Sequence, residues 1–425
     1  MKKTLFLLLL LLPLSLQARK AKQLWPDGTP IDVWFNDTSR VDTAKLGPQY
    51  VITNYGVKTD STLMQTAAIQ HVIDLAASRG GGLIVVPRGT FLSGALFFKP
   101  GTSLYITENG VLKGSDRVED FPIIPTARVE GQTCKYFSAF INADGVDGFT
   151  ICGRGTINGN GYHYWKEFWL RRAWNPKCTN KDAQRPKLVY IQHSKNVTVQ
   201  DVKLINSPFW TNYLYRCHHV RYLGCTIYAP TEGVKAPSSD AIDIDNCHDV
   251  LVNGCYMNVN DDAVVLKGGK GTWADKDSTN GPNSNVIIQN CHYGRVMGCL
   301  TLGSESIYDR NIILRNCHTD AANRVLWLKM RPDTPQHYEF VTVENITGYA
   351  DKVLVVRPWT QFYKLEDRTD MPLSQCNNIT IKGLRMKAGR YLDVGRSDKY
   401  RLTQFTFADN QVEEPNNTFD ATLFE

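Results

Sequence analysis

Four things are scarce in this 425-residue sequence, and each scarcity removes a class of protein. The 11 cysteines include no Cys-x-x-Cys pair, so a thiolate zinc site is not expected. After the first 18 residues no apolar run approaches membrane-spanning length. Charge of one sign is thin. The net +6 falls to +4 without Lys2 and Lys3, a mild excess that suits a polyanionic partner but is too weak and scattered for nucleic acid. Helical periodicity is scarce too. Residues 63–79 carry the one convincing amphipathic stretch, with Leu63, Ala67, Ile69, Val72, Ile73 and Ala76 at three- and four-residue intervals until Gly80-Gly81-Gly82 stops it.

The start of the chain reads as a removable export signal. Lys2 and Lys3 precede an apolar stretch of about 12 residues from Leu5 to Leu16, and Ala18 is the small residue at the cut. The expected division is a signal peptide at 1–18 and one domain at 19–425, in an exported protein, periplasmic or secreted according to source. An odd number of cysteines in such a chain calls for explanation. Cys217 and Cys225, Cys247 and Cys255, and Cys291 and Cys299 are each eight residues apart. That recurrence predicts small residues stacked in columns as free thiols, with one or two disulfides as the alternative.

From about residue 148 one pattern returns: a polar or Gly residue, an alternating β-branched run, then Gly or Asn. The runs beginning at Val197, Val220, Val250, Val286, Ile312, Phe340 and Ile379 are separated by 23, 30, 36, 26, 28 and 39 residues. Gly82 to Lys113 reads as three short strands. Self-similarity at this period, with short strands and no helices between them, predicts an all-β, single-domain, right-handed parallel β-helix. The helix at 63–79 would cap one end. A monomer is expected. His218, His248, His292 and His318 each follow a cysteine at repeat positions and read as stacked turn residues. Tyr162–Asp182 interrupts the repeat with Trp165, Phe168, Trp169, Trp174, Arg171 and Arg172. It is either a cleft wall for sugar acids or a loop covering the solenoid's side.

The chemistry concentrates between Ser238 and Gly269. Asp240 and Asp262 are 22 residues apart, so a chain coiling at this period sets them on adjacent coils, where Asp240, Asp261 and Asp262 converge on one face. Such a carboxylate cluster suits acid/base hydrolysis of a glycosidic bond, because neighbouring carboxylates push one pKa up while others stay ionised. Asp245 reads as a turn residue; Asp243 has no assigned role.

These residues resemble glycoside hydrolase family 28, the polygalacturonases and rhamnogalacturonan hydrolases, over roughly residues 50–390. Thr66-Ala67-Ala68-Ile69-Gln70, the stretch from Gly80 to Phe91, Leu112-Lys113-Gly114-Ser115 and Asn206-Ser207-Pro208-Phe209-Trp210-Thr211 agree with it in order. The family's acid motifs appear as Ser238-Ser239-Asp240-Ala241 and Asp261-Asp262, the latter followed by Lys267 and Gly268. Its Gly-His-Gly appears as Met297-Gly298-Cys299 ahead of Gly303-Ser304-Glu305, and its Arg-Ile-Lys as Trp327-Leu328-Lys329. Its late Tyr matches Tyr363.

The resemblance implies that Asp261 is the general acid and that Asp240 and Asp262 hold and deprotonate water, with inversion of configuration. It implies substrate contacts from Lys267, Lys329, Trp327 and Tyr363, and no metal or organic cofactor. The expected partner is a pectic polysaccharide or oligosaccharide. His gives way to Gly298 and Arg to Trp327 on the side that holds the leaving-group sugar. A Trp there favours a neutral sugar such as rhamnose, so the expected cut is GalA-α-1,2-Rha, with GalA-α-1,4-GalA the alternative if Arg331 or Lys329 supplies the missing cation. The insertion and the loop Trp359–Tyr363 suggest attack from a chain end. The competing classes are a calcium-dependent pectate lyase, a solenoid that binds pectin without cutting it, and a structural or adhesion solenoid.

Overall fold

The computed structural model describes residues 23–230, 232–361 and 364–424. The expected signal peptide and Tyr363 lie outside them. No helix among the described residues is long and apolar enough to cross a membrane.

The β-branched runs fold as strands because each loses one face to a shared interior and pairs on both edges with its equivalents one turn away. Three parallel ladders result. The first runs through Lys195–Gln200, His218–Leu223, His248–Asn253 and Asn283–Gln289. The second includes Lys203–Ile205, Thr226–Tyr228, Tyr256–Asn258 and His292–Val296. The third includes Val189–Gln192, Asn212–Tyr215, Ile242–Asp245, Val264–Lys267 and Leu300–Leu302. In the later coils, Tyr308–Met330 and His337–Pro358 pass through all three ladders. This is the parallel β-helix that the repeat predicts. One apolar cluster fills its interior from Tyr50 to Leu402.

The residue that opens each repeat, polar on every coil except that of Phe340, has a backbone reason. Asn196, His219, Asp249, Asn285, Asn311, Phe340, Asn378 and Gln404 all hold φ between 54° and 58°, and the first-ladder register stacks them in one column. Asn and Asp enter the left-handed region most easily among non-glycine residues, and their side chains link coils, as Asn285 Nδ2 does to Asp249 Oδ1 at 3.0 Å.

The amphipathic helix is present as α1, Thr66–Ser78, which buries Ile69, Val72, Ile73 and Ala76 against the first coils. Four features depart from the expectations. Gly82 to Gly114 holds five strands rather than three, since Gly89–Ser93 and Gly110–Gly114 already pair in the second ladder. Tyr162–Trp174 is a second helix, α2, burying Tyr164, Trp165 and Phe168; exposed Trp169, Leu170 and Trp174 blur its periodicity in the sequence. An antiparallel hairpin, Ile123–Val129 with Gln132–Phe137, was not foreseen. The four histidines lie in strands rather than turns: His218, His248 and His292 begin theirs and His318 lies within Tyr308–Met330, and His218 stacks on His248 with ring centroids 4.9 Å apart.

All eleven cysteines are free thiols. Cys217 N–H donates to Cys247 Sγ at 3.2 Å and Cys291 N–H to Cys317 Sγ at 3.4 Å, so the thiols do stack between coils. Ten are buried and Cys134 is partly exposed. Titration with a chromogenic disulfide reagent is therefore expected to modify no thiol but Cys134 in the native protein and all eleven after denaturation without reductant. A denatured count of nine or fewer would mean a bridge.

Candidate active site

The site is a product of register. In the third ladder Thr211 N–H donates to Asp240 O at 2.8 Å, Ala241 N–H to Asp262 O at 2.9 Å, Ala263 N–H to Gly298 O at 2.8 Å and Cys299 N–H to Arg324 O at 2.9 Å. Asp240, Asp262, Gly298 and Arg324 thus occupy one position on successive coils, about 4.8 Å apart as neighbouring strands are. The strands that follow alternate inward and outward. Ile242, Ile244, Val264 and Leu266 enter the core, while Asp243, Asp245 and Lys267 take the outer face.

Walls built by the insertions enclose that face. Arg185, in the segment after α2, donates from Nε to Pro208 O at 2.8 Å and from Nη2 to Pro237 O at 3.0 Å, and packs on the rings of Phe168 and Phe209. It thereby ties α2 to the loop that leads into Asp240. The hairpin reaches in through Arg128, whose Nε donates to Asp245 Oδ2 at 2.8 Å, both side chains being fully buried. Asp245 is therefore a strand residue anchoring the hairpin, not a turn residue.

Asp240, Asp261, Asp262, Lys267, Trp327 and Lys329 all line one cavity of about 370 Å³. Two ammonium groups organise the acids. Lys267 Nζ lies 3.4 Å from Asp243 Oδ1, 3.4 Å from Glu305 Oε2 and 3.8 Å from Asp240 Oδ2, and 4.8 Å from the Trp210 ring centre. Lys329 Nζ lies 2.8 Å from Asp262 Oδ2. Asp261 is the least buried of the three expected acids, and its Oδ1 accepts from Asp262 N–H at 3.1 Å.

Crowding sets the protonation. Burial, with the charges of Asp240 and Asp262, holds the Asp261 carboxyl well above its ordinary range against Lys329 and Lys267. Burial and then Asp243 push Asp240 up in the same way. Burial raises Asp243 to about 7 against the pull of Lys267. Glu305 goes the other way: burial would raise it, but Lys267 and Lys270 hold it below the usual carboxylate range. Lys267 stays a firm cation, because the charges of Glu305, Asp243 and Asp240 outweigh its desolvation. The cluster can therefore present a protonated carboxyl and ionised ones within one cavity, which is what proton transfer to one atom and from another requires.

The leaving-side residues are less simple than the sequence suggests. Trp327 is 8 % exposed, with the Arg324 guanidinium 3.6 Å and Lys329 Nζ 4.1 Å from its ring centre, so it is no bare apolar platform. At Gly298 a Cβ would come within 2.3 Å of Thr301 Oγ1 and 2.9 Å of Asp262 Oδ1, so the Thr301 hydroxyl already occupies the space where a larger residue would begin. Arg331 is turned to Asp333, with Nε to Oδ1 at 2.7 Å and Nη2 to Oδ2 at 2.9 Å, both side chains buried. Asp243, Glu305, Trp210 and Arg324 were not assigned from the sequence. Counting coils would have found Arg324, since it follows Gly298 by the same 26 residues that separate Val286 from Ile312.

A parallel β-helix with a walled cleft, acids stacked on adjacent coils and lysines between them defines a carbohydrate-cleaving type of solenoid. The chain belongs to the glycosyl hydrolases family 28, which it matches over residues 84–387. It is similar to a probable polygalacturonase of Vitis vinifera, 26 % identical over 56 % of this chain and 48 % of that protein. It is also similar to an exo-poly-alpha-D-galacturonosidase of Dickeya chrysanthemi, 24 % identical over 69 % of this chain and 55 % of that one. The matches span less than half the length of the curated relatives from Vitis vinifera, Juniperus ashei and Chamaecyparis obtusa. The fold is that of an exopolygalacturonase from Thermotoga maritima, with TM-score 0.69 at 19 % identity over 86 % of this chain and 87 % of that one.

Two measurements probe this electrostatic arrangement. Asp261→Asn is expected to lower kcat by about 10²–10⁴-fold on any substrate the protein cleaves, with melting temperature little changed; unaltered turnover would remove Asp261 from the chemistry. Asp243, raised in the fold, binds its proton more tightly there than in the unfolded chain, where its pKa is near 4. Its stabilising contribution is therefore present below about pH 4 and lost as pH rises to about 7. Denaturant titrations from pH 4 to 7 should show Asp243→Asn losing stability with pH less steeply than wild type. An equal slope in both would contradict the raised pKa.

Proposed function

We propose that the chain is an inverting hydrolase of α-galacturonide linkages in pectin, with galacturonate on the non-reducing side of the cut. The observation that carries this reading is the stacking of Asp240 over Asp262 beside the less buried Asp261, with Lys329 on Asp262 and Lys267 on Asp240. Membership of the family supports the same chemistry. In this reading Asp261 donates its proton to the glycosidic oxygen as the C–O bond breaks. Asp240 and Asp262 hold a water on the opposite face, and one of them takes its proton as the new bond forms at the anomeric carbon. Lys267 and Lys329 keep the acids placed and offer positive charge to a sugar carboxylate. No metal or organic cofactor enters the scheme.

The finer reading is cleavage of GalA-α-1,2-Rha, favoured by an aromatic residue at 327 where the family carries a cation. A second reading, cleavage of GalA-α-1,4-GalA, is favoured by Arg324, whose guanidinium lies against Trp327 and restores positive charge to that side. The walls formed by α2, which contributes Phe168, Trp169 and Arg172 to the cavity, and by Trp359 favour attack at a chain end. Export to the periplasm or medium is proposed with this function, as is action by the monomer.

One experiment separates these readings. The protein is incubated without added metal with polygalacturonate and, separately, with rhamnogalacturonan oligosaccharides ending in galacturonate, and reducing products are separated by chromatography. Galacturonate released from the second substrate alone is expected for the rhamnose reading. Release from polygalacturonate that falls at least about tenfold in Arg324→Ala is expected for the second. Long oligomers in the first minutes would overturn chain-end attack, and no product from either would overturn the hydrolase reading.

A further inference from the structure

Outside the cleft, the second ladder brings together a set of metal-binding side chains that hydrolysis does not use. His292 and His318 are paired residues on adjacent coils, with Tyr256 the partner of His292 on the coil before and Thr347 the partner of His318 on the coil after. Asp320 follows His318 by two residues, and strand alternation therefore returns it to the same outer face. Its carboxylate spans the pair, with Oδ2 2.9 Å from His292 Nε2 and Oδ1 3.3 Å from His318 Nε2. One ligand atom from each of the three lies within 4.8 Å of the others, and all three residues are exposed.

We propose that His292, His318 and Asp320 form a binding site for one borderline divalent transition-metal ion such as zinc, clipping two successive coils together. Two imidazole nitrogens and a carboxylate match that class of ion, which takes nitrogen ligands at about 2.0–2.1 Å and leaves its remaining positions to water when the site is open. The surroundings favour metal-ready imidazoles. His318 Nδ1 meets Thr347 Oγ1 at 2.8 Å, so Nδ1–H donating to that hydroxyl turns the Nε2 lone pair toward Asp320. A hydrogen bond from the non-ligating nitrogen is what orients a metal-bound histidine. The Tyr256 ring sits edge-on to His292, centroids 5.4 Å apart and planes at 89°, which restrains that imidazole. The two imidazole planes lie at 78° to each other, so the rings are not stacked and both nitrogens face the carboxylate.

Isothermal titration of the full chain with zinc alone tests the proposal, with His248→Ala as a control because His218 and His248 form another imidazole pair on adjacent coils, one that is stacked. One saturable site per chain is expected. His318→Ala and Asp320→Asn should each weaken it at least about tenfold, Thr347→Val should weaken it by roughly 10-fold, and His248→Ala should leave it unchanged. Zinc at about 100 times its dissociation constant should also raise the melting temperature by about 3 °C in wild type and not in His318→Ala. Absence of a saturable site overturns the proposal, as does binding that survives both His318→Ala and Asp320→Asn or disappears with His248→Ala.

Discussion

The bond from Ala241 N–H to Asp262 O sets the geometry on which the rest of the candidate site depends. It is one rung of a parallel ladder. A rung fixes the distance between two side chains more tightly than any loop can, because shifting it by one residue would exchange the inward and outward faces of the whole strand. Ile242 and Ile244 on one side of the rung and Val264 and Leu266 on the other are fully buried, so such a slip in either strand would turn its two core residues out of the interior and bring charged side chains in. The apolar interior thus holds Asp240 and Asp262 one coil apart. Catalytic placement of this kind rests on core packing, not on the carboxylates' own interactions, which repel.

That repulsion is the counterpart of function. Asp240, Asp261, Asp262 and Glu305 line the cleft, with buried Asp243 beside them, and Lys267 and Lys329 are the cations in direct contact with these acids. Burying charge is costly unless it is paired, and a cluster with more acids than cations relieves the cost by keeping protons on some of them. Glu305 is driven low by Lys267 and Lys270 while Asp240, Asp243 and Asp261 are driven up. The surrounding segments build walls around this environment. Arg185 and Arg128, both buried, fasten α2 and the hairpin over a face that a bare solenoid would leave open. The scaffold is regular where it sets distances and irregular where it walls the cleft.

Much of this was legible in the chain. The recurring β-branched runs, the 22 residues between Asp240 and Asp262 and the 30 residues between Cys217 and Cys247 all reflect the coil length, so the solenoid, the stacked acids and the stacked thiols follow from a period. α2 and the hairpin were not legible as elements, because neither repeats and because exposed Trp169 and Trp174 hide the periodicity of α2. Trp327 shows the limit for single residues. Its type suggests a neutral, apolar surface, but the ring is covered by Arg324 and Lys329, a contact between residues whose proximity depends on how the strand alternates.

The sequence by itself determined the coil, its apolar interior and the acids that share a face, since these depend on spacing and on which side chains avoid water. Only the tertiary structure decided which charges meet. Lys267 reaches Glu305 from 38 residues away, Arg128 reaches Asp245 from 117 away, and Arg331 is engaged by Asp333. Electrostatic pairing falls off over a few ångströms, and such distances are set by the packing of insertions against the solenoid, for which the linear order of residues holds no periodic signal.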